Sequence, residues 1–452
     1  MNRETVIQEM AIAFQSRTGA VFIGSGISVP SKLPSWTNLI NYEAKQLGIS
    51  LQEGENLPEV AQWIVNKYVG NRGPLINQVR SALSKHTGPN NYHIALTNST
   101  VDTIWTTNYD TLLEEAFASF PLVVRTSDES IAHPSHGAEV EIIKMHGCLT
   151  RSNHEDIVIT KEDYEDFFYR RPATAERLRI DLLGRTFLFI GYGFGDPNIE
   201  NIVVEARRLA KNATRKHHLV QLKVENSIDG GQRALRQKLW ANDLRRIGIE
   251  CTLIDDYHEL QEILNEIALR SRGSTLYVTG SHESSNPLAT EIGIHLAKLT
   301  SPEVTIVDGQ STGLSRDVIT AFMEECVNRK VDLRARLMIH PNPYAANPGF
   351  SNDIRLLPIL KTWRRTLLRS AQAVLAFDGS MGTEMEVELA LSLGCRVIPV
   401  PIKAGGFADL LLSNPFIADP IQAKYPDYLT RWKNGDPITA EDVALCVGAM
   451  LK

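Results

Sequence analysis

Cysteine is scarce in this sequence and is not clustered. Only five cysteines occur among 452 residues, and none forms a CxxC pair. Structural zinc sites and disulfide frameworks need paired cysteines at short spacings, so we expect no zinc and no disulfide. The thiols predicted to be reduced and buried are Cys148, Cys251, Cys326, Cys395 and Cys446.

Long apolar runs and an excess of basic residues are also lacking. The run RTFLFIGYGF is short and contains glycine, and the first residues, MNRETVIQEM, include no apolar signal region. We therefore expect a cytoplasmic protein without a membrane partner. The net charge of −6 gives no general attraction to phosphate backbones, which disfavours a nucleic-acid partner.

What the chain does contain is two series of strand-loop-helix units. Because 452 residues exceed what one core usually organises, and because strands alternate with helices, we predict an α/β fold of two Rossmann-like parallel-sheet domains, 1–272 and 273–452. A helical insert at 41–95 separates the first two strands. The sequence RGS at 272–274 is the predicted linker.

Glycine and polar residues follow the predicted strands of the first domain. VFIGSGISV places Gly24, Ser25, Gly26 and Ser28 after an apolar run. Such a turn lets backbone N–H groups approach a pyrophosphate, although taken alone the motif is better explained by a tight turn without a ligand.

Three further strand ends have the same character. They are TTNYD with Asn108 and Asp110, KMHG with His146, and GYGFGDPN. Asn and Asp also cap helices, and a histidine can simply be packed in a loop. Because carboxyl ends of parallel strands meet at one edge, and because an imidazole titrates near neutral pH, we favour an active site with His146 as base.

In this order the motifs resemble those of the sirtuin family over residues 15–226. The resemblance implies that NAD is held by the two glycine loops, here Gly24, Ser25, Gly26, Ser28, Gly191 and Gly193. It implies that Asn108 and Asp110 frame the nicotinamide ribose, that His146 acts on a ribose hydroxyl, and that Glu225 lies near the adenosine ribose. An imidazole also suits proton removal from water at neutral pH.

Two departures from the sirtuin pattern bear on the reaction. The stretch 147–186 contains only Cys148, where sirtuin deacylases carry two cysteine pairs, and LPSW at 33–36 stands where they carry PDFR. Both departures weaken the case for lysine deacylation and leave the NAD site intact.

The second domain repeats the pattern of glycine after strands. VTGSHESS contains Gly280 and Ser281, VDGQSTGLSRD contains Gly309 and Gly313, and FDGSMGTEMEVE contains Gly382 and Glu386. The helix ILKTWRRTLLRS before the last motif carries Arg364 and Arg365. Arginine suits phosphate and nucleobases, although a solvated helix face would also carry arginines.

This half resembles the SLOG nucleotide-binding superfamily, whose lysine-decarboxylase-like members have a GGxGTxxE loop. DGSMGTEMEVE matches that loop with one glycine lost, which favours sensing of a nucleotide over its turnover. The residues assigned to a signal nucleotide are Gly280, Ser281, Gly309, Gly313, Arg364, Arg365, Gly382 and Glu386.

The pairing of the two domains resembles the sirtuin-domain effectors of the Thoeris anti-phage system. The resemblance implies hydrolysis of NAD to ADP-ribose and nicotinamide, activation by a cyclic ADP-ribose isomer made by a TIR-domain protein, and assembly of a homo-oligomer, a tetramer or larger. A protein deacylase, an ADP-ribosyltransferase and a non-catalytic nucleotide sensor stay open as alternatives.

Overall fold

The computed structural model describes residues 2–51, 55–213, 215–225, 231–280, 286–342, 355 and 357–452. The chain forms two compact units, Met1–Ser271 and Arg272–Lys452. Within the described ranges, every helix is too short or too polar to traverse a lipid bilayer.

The first unit is built on a seven-stranded parallel sheet. Its strands are β1 (Gly19–Ile23), β2 (Thr103–Thr106), β3 (Leu122–Arg125), β4 (Val140–Lys144), β5 (Thr186–Ile190), β6 (His217–Leu222) and β7 (Ile249–Ile254). They are ordered β3-β4-β2-β1-β5-β6-β7. Because β1 has β2 on one side and β5 on the other, the carboxyl ends of these strands enclose a topological switch point, the usual ligand site of such sheets.

Helices cover both faces of this sheet. They are α1 (Arg3–Gln15), α2 (Trp36–Gln46), α3 (Leu57–Lys67), α4 (Gly73–Leu83), α5 (Asn91–Asn98), α6 (Leu112–Ala116), α7 (Asp128–Ala132), α8 (Lys161–Glu165), α9 (Phe167–Arg170), α10 (Pro172–Gly184), α11 (Pro197–Ala210), α12 (Gln232–Asp243) and α13 (Tyr257–Arg270). Side chains alternate across β1, so that Val21 and Ile23 join one apolar core and Ala20 and Phe22 the other. Continuous apolar strands are therefore buried on both faces.

The segment between β1 and β2 is a helical insert with a core of its own. Helices α2, α3 and α4 enclose Ile40, Val60, Ile64 and Val79, in agreement with the insert expected at 41–95. Arg72 anchors it by donating two hydrogen bonds, of 3.0 and 2.7 Å, to the carboxylate of Asp163. Both side chains are buried, and removing one partner of such a pair costs about 3–5 kcal/mol.

The second unit is built on a five-stranded parallel sheet. Its strands are β8 (Thr275–Thr279), β9 (Thr305–Asp308), β10 (Leu337–Ile339), β11 (Ala373–Phe377) and β12 (Arg396–Val400), ordered β10-β9-β8-β11-β12. Its helices are α14 (Pro287–Lys298), α15 (Leu314–Asn328), α16 (Leu357–Arg369), α17 (Met381–Ser392), α18 (Phe407–Leu411), α19 (Pro415–Lys424), α20 (Pro426–Asn434) and α21 (Ala440–Met450). The prediction of two parallel-sheet α/β domains is confirmed, and β8 marks the switch point of the second sheet.

Candidate active site

A cavity of about 260 Å3 lies at the carboxyl ends of β1, β2, β4 and β5. The polar part of its wall comes from the loops after these strands and from α8: Gly24, Ser25, Ser28, Thr107, Asn108, Tyr109, Asp110, His146, Tyr164, Gly191, Tyr192, Gly193, Gly195 and Asp196. The structure thus brings the three predicted catalytic side chains together with five of the residues assigned to NAD. Gly26 instead contacts Gly191, and Glu225 is exposed outside the cavity wall.

The two glycine loops pack against each other. The amides of Gly24 and Gly26 donate to the carbonyl oxygens of Ile190 and Gly191, both at 3.0 Å. A Cβ on Gly24 would lie 2.3 Å from the carbonyl oxygen of Gly191, and Gly191 has a positive φ of 59°. Glycine is therefore required here for loop packing, and these two amides are occupied before any ligand binds.

A hydrogen-bonded chain joins Asn108 to Asp110 through Ser28. The side-chain amide of Asn108 donates to the Gly24 carbonyl at 3.2 Å and to Ser28 Oγ at 3.3 Å. Ser28 Oγ in turn donates to Asp110 Oδ2 at 3.0 Å. The other carboxylate oxygen of Asp110 accepts from the Leu112 amide at 3.1 Å, so this aspartate also binds the first amide of α6, although Thr111 is the N-cap residue. Because its two carboxylate oxygens have different partners, Asp110 can both stabilise the start of α6 and take part in the active site.

His146 is buried beside an aspartate that was not among the assigned site residues. Its Nε2 lies 3.1 Å from Oδ2 of Asp196, and its ring packs edge-on against Tyr164 at 5.3 Å. Asp196 Oδ1 caps α11 by accepting from the amides of Asn198 and Ile199. The sequence GDPN predicts such a cap, because aspartate before proline is a helix start, but it does not reveal the histidine contact.

A buried ion pair supports the turn after β2. Lys144 Nζ lies 2.9 Å from Glu114 Oε1 and also donates to the backbone carbonyl of Asp110. Burial lowers the pKa of Lys144, but the neighbouring Glu114, Cys148 and Asp110 outweigh burial and raise it. The lysine is therefore charged, and its hydrogen bond to the carbonyl oxygen of Asp110 fixes the backbone at that residue.

The opposite part of the wall is apolar and comes from the insert and the chain leading into it: Leu33, Pro34, Trp36, Leu39, Pro58 and Leu83. The ring of Trp36 meets Tyr109 edge-on at 6.4 Å. Burial raises the pKa of Tyr109, Tyr164 and Tyr192, so the phenols stay neutral. The site thus combines an apolar wall with a few convergent polar groups, as small-molecule sites do.

In the second unit, three of the predicted signal residues, Arg364, Gly382 and Glu386, lie near the carboxyl end of β8. Arg364 Nε is 3.6 Å from Glu386 Oε1, and Glu386 Oε2 accepts from Tyr277 and Thr279 at 3.0 and 2.6 Å. Burial raises the pKa of Glu386. A Cβ on Gly382 would lie 3.8 Å from Arg364 Nη2, so this arginine reaches the first turn of α17.

The other residues predicted to bind the signal nucleotide have structural roles, are half-buried on a helix, or lie outside the described residues. Gly280 has a φ of 139°, and its Cβ would meet Phe377 at 2.6 Å. Gly309 lies against Leu367, and Gly313 caps α15 with a φ of 75°. Arg365 is half-buried on α16. Ser281 lies outside the described residues.

Comparison with known proteins agrees with this arrangement. The family described as SIR2-like domain matches residues 102–245. The NAD(+) hydrolase ThsA of Enterococcus faecium is 26% identical, covering 95% of this chain and 92% of that protein. The proteins of the same name from Acinetobacter baumannii and Bacillus cereus are 27% and 28% identical, covering 92% and 75% of this chain and 91% and 74% of their own length.

This chain is thus similar to these hydrolases over most of its length. The match at 102–245 lies within the first unit and spans the loops that carry Asn108, Asp110 and His146, so the SIR2-like region supplies most of the polar cavity wall. The resemblance drawn from motif order is confirmed. Among the residues that the structure describes, no group of three or more His, Cys, Asp and Glu side chains is arranged to hold a metal.

Proposed function

We propose that this chain hydrolyses NAD+ to ADP-ribose and nicotinamide in the cavity of its first unit. The observation that carries the proposal is the convergence of Asn108, Asp110 and His146 on one cavity at the switch point of the sheet. Similarity to NAD(+) hydrolases over most of the chain supports it.

Departure of nicotinamide does not require a general acid. Nicotinamide departs as a neutral base from its cationic form, so the barrier lies in the positive charge that develops on the ribose. The carboxylate of Asp110, held by Ser28, is a suitable anion for that charge. Asn108, whose amide is fixed by two hydrogen bonds, positions the ribose or the water.

His146 then takes one proton from the attacking water. The water oxygen bonds to the anomeric carbon, the bond to nicotinamide breaks with its electron pair leaving on nicotinamide, and the proton passes through the imidazole to solvent. General-base assistance of this kind contributes roughly 100- to 10,000-fold to the rate. The NAD-contacting set proposed here is Gly24, Ser25, Ser28, Gly191 and Gly193, with Gly26 acting through loop packing and Glu225 placed at the adenosine end.

We also propose that the second unit binds a cyclic ADP-ribose isomer and thereby activates the first. Arg364 is held by Glu386 beside Gly382, where its guanidinium suits a phosphate. Such a signal comes from a TIR-domain protein, and the active protein is a homo-oligomer that depletes NAD in anti-phage defence. Shifting the ratio of active to inactive protein from 1:99 to 99:1 requires the signal to bind the active state more tightly by about 5.5 kcal/mol.

The decisive experiment is quantification of nicotinamide and ADP-ribose after incubation of the pure protein with NAD. The protein is tested alone and with each cyclic ADP-ribose isomer. We expect free ADP-ribose without any acyl peptide. His146→Ala and Asn108→Ala should lower the rate at least about 100-fold, while the exposed His258→Ala, whose side chain is 78% exposed, should not.

The products distinguish the alternatives. Formation of acetyl-ADP-ribose only with an acyl peptide would identify a deacylase, and a labelled protein acceptor would identify a transferase. Binding of NAD without nicotinamide release in every condition would leave a nucleotide sensor and would refute the hydrolase.

A further inference from the structure

The contact between His146 and Asp196 joins two distant parts of the sheet. His146 follows β4, whereas Asp196 follows β5, and β2 and β1 lie between these strands. At a spacing of about 4.8 Å between neighbours, β4 and β5 are roughly 14 Å apart. The loop Gly191–Asp196 closes that gap and brings a carboxylate to 3.1 Å from the imidazole.

Capping alone does not account for this placement. Asp196 caps α11 through Oδ1, which accepts from the Asn198 amide at 2.9 Å and the Ile199 amide at 3.4 Å. Its Oδ2 lies 3.1 Å from His146 Nε2, but the two atoms are not aligned as a hydrogen bond, and each is buried without a hydrogen-bond partner. Leaving a buried polar atom without a partner costs about 1–3 kcal/mol, so this proximity is maintained at the expense of stability.

We infer that Asp196 is a positioning residue that orients the imidazole of His146 and stabilises its protonated form, an inference that rests on the proposed hydrolase function. The negative charge 3.1 Å from Nε2 favours a proton on that nitrogen and leaves Nδ1 as the basic nitrogen. Once Nδ1 has taken the proton of the attacking water, the carboxylate faces the resulting cation. An orienting carboxylate on the far side of a catalytic histidine acts in this way in other active sites.

Two substitutions separate this role from capping. Asp196→Asn and Asp196→Ser both retain a good cap for α11 and remove the negative charge. We expect each variant to lose roughly 10- to 1,000-fold in kcat, with KM within about threefold and a melting temperature within about 3 °C of the parent. Asp256→Asn is the matched control, because Asp256 caps α13 in the same unit.

The expected pattern excludes a purely structural role. If the cap is all that matters, both variants keep kcat within about twofold of the parent, and the inference is wrong. A kcat loss that follows the melting temperature would overturn it as well. If the parent itself releases no nicotinamide under any condition, the hydrolase proposal fails, and the inference about Asp196 is then decided by the protonation of the His146 ring.

A spectroscopic measurement tests the inference without activity. In histidine-labelled protein, the nitrogen resonances of His146 are identified by their loss in His146→Ala. We expect the parent ring to carry its proton on Nε2 and the Asp196→Asn ring to populate both tautomers. A parent ring protonated on Nδ1 would overturn the inference even in an active enzyme.

Discussion

Gly24 and Gly191 lie backbone to backbone, with so little space between them that a Cβ on Gly24 would be 2.3 Å from the carbonyl oxygen of Gly191. The glycines of the first motif therefore serve loop packing first. Their role in packing can therefore be tested separately from the contact with NAD that the same motif suggests.

Gly24→Ala should destabilise the first unit. The added methyl group meets backbone rather than a flexible side chain, and overpacking of this kind costs about 1–3 kcal/mol. At about 2–4 °C for each kcal/mol, calorimetry should show a clear fall in melting temperature.

The matched control is Gly193→Ala. Gly193 lines the cavity and has open space around its Cβ position, so its replacement should leave the melting temperature unchanged and weaken NAD binding. Equal melting temperatures for Gly24→Ala and the parent would contradict the packing argument.

Ser28→Ala should lower NAD cleavage without unfolding the protein. It removes the hydroxyl that accepts from Asn108 at 3.3 Å and donates to Asp110 at 3.0 Å. A hydrogen bond to a charged group contributes about 1.5–3 kcal/mol, which corresponds to roughly 10- to 150-fold in kcat/KM. Steady-state kinetics measure this loss, with the exposed Ser84→Ala as control. A rate within about twofold of the parent would show that Asp110 needs no such partner.

The first unit should lose stability in mild acid because of His93. Burial lowers its pKa to about 4, whereas the unfolded state binds the proton near pH ~6.5. Since the folded pKa is the lower one, stability is complete above the unfolded pKa and is lost as the pH falls toward about 4. Between about pH 7 and about pH 5, His93 alone should cost about 2 kcal/mol.

His93→Gln isolates that contribution. Nδ1 of His93 accepts from the Asn90 amide at 3.3 Å, and glutamine at this position of a capping box makes the same contact. Urea unfolding should show a smaller loss of stability with pH in the variant. The remaining loss belongs partly to His217, whose pKa burial lowers to about 3. An unchanged pH dependence would show that His93 is not the titrating group.

Arg364→Ala should weaken binding of the signal nucleotide. The substitution removes the guanidinium that Glu386 holds beside Gly382, and loss of a phosphate contact of this type should weaken binding by roughly 10- to 150-fold. Calorimetric titration of the full chain with each cyclic ADP-ribose isomer measures it. Arg334→Ala is the control, because Arg334 is exposed and pairs with Asp332. Equal affinities for the two variants would show that the signal nucleotide does not bind at Arg364.

Several features could be predicted from local sequence because they depend on neighbours along the chain. Apolar runs ending in glycine or a polar residue located β1, β2, β4 and β5, and motif order linked them to sirtuins. The edge strand β3 gave a weaker signal, since it has four residues and only Arg125 among them is buried. The catalytic candidates were predicted to meet, because parallel strands share one carboxyl edge.

The partners of those candidates could not be predicted in the same way. Asp196 reads locally as a helix cap, and Lys144 as the last residue of a strand. Their contacts with His146 and Glu114 join residues that lie 50 and 30 positions apart, as the residue numbers show. No local pattern specifies such a pairing.

The sequence by itself determined the α/β alternation, the division into two parallel-sheet units and the polar strand ends that define a cavity. These depend on side-chain periodicity and on glycine and capping residues, which act over a few positions. Only the tertiary structure decided that the insert supplies the apolar wall, that carbonyl oxygens of Ile190 and Gly191 occupy the amides of Gly24 and Gly26, and that Asp196 faces His146. Each of these depends on the order of strands in the sheet, because that order sets which loops come within hydrogen-bonding distance.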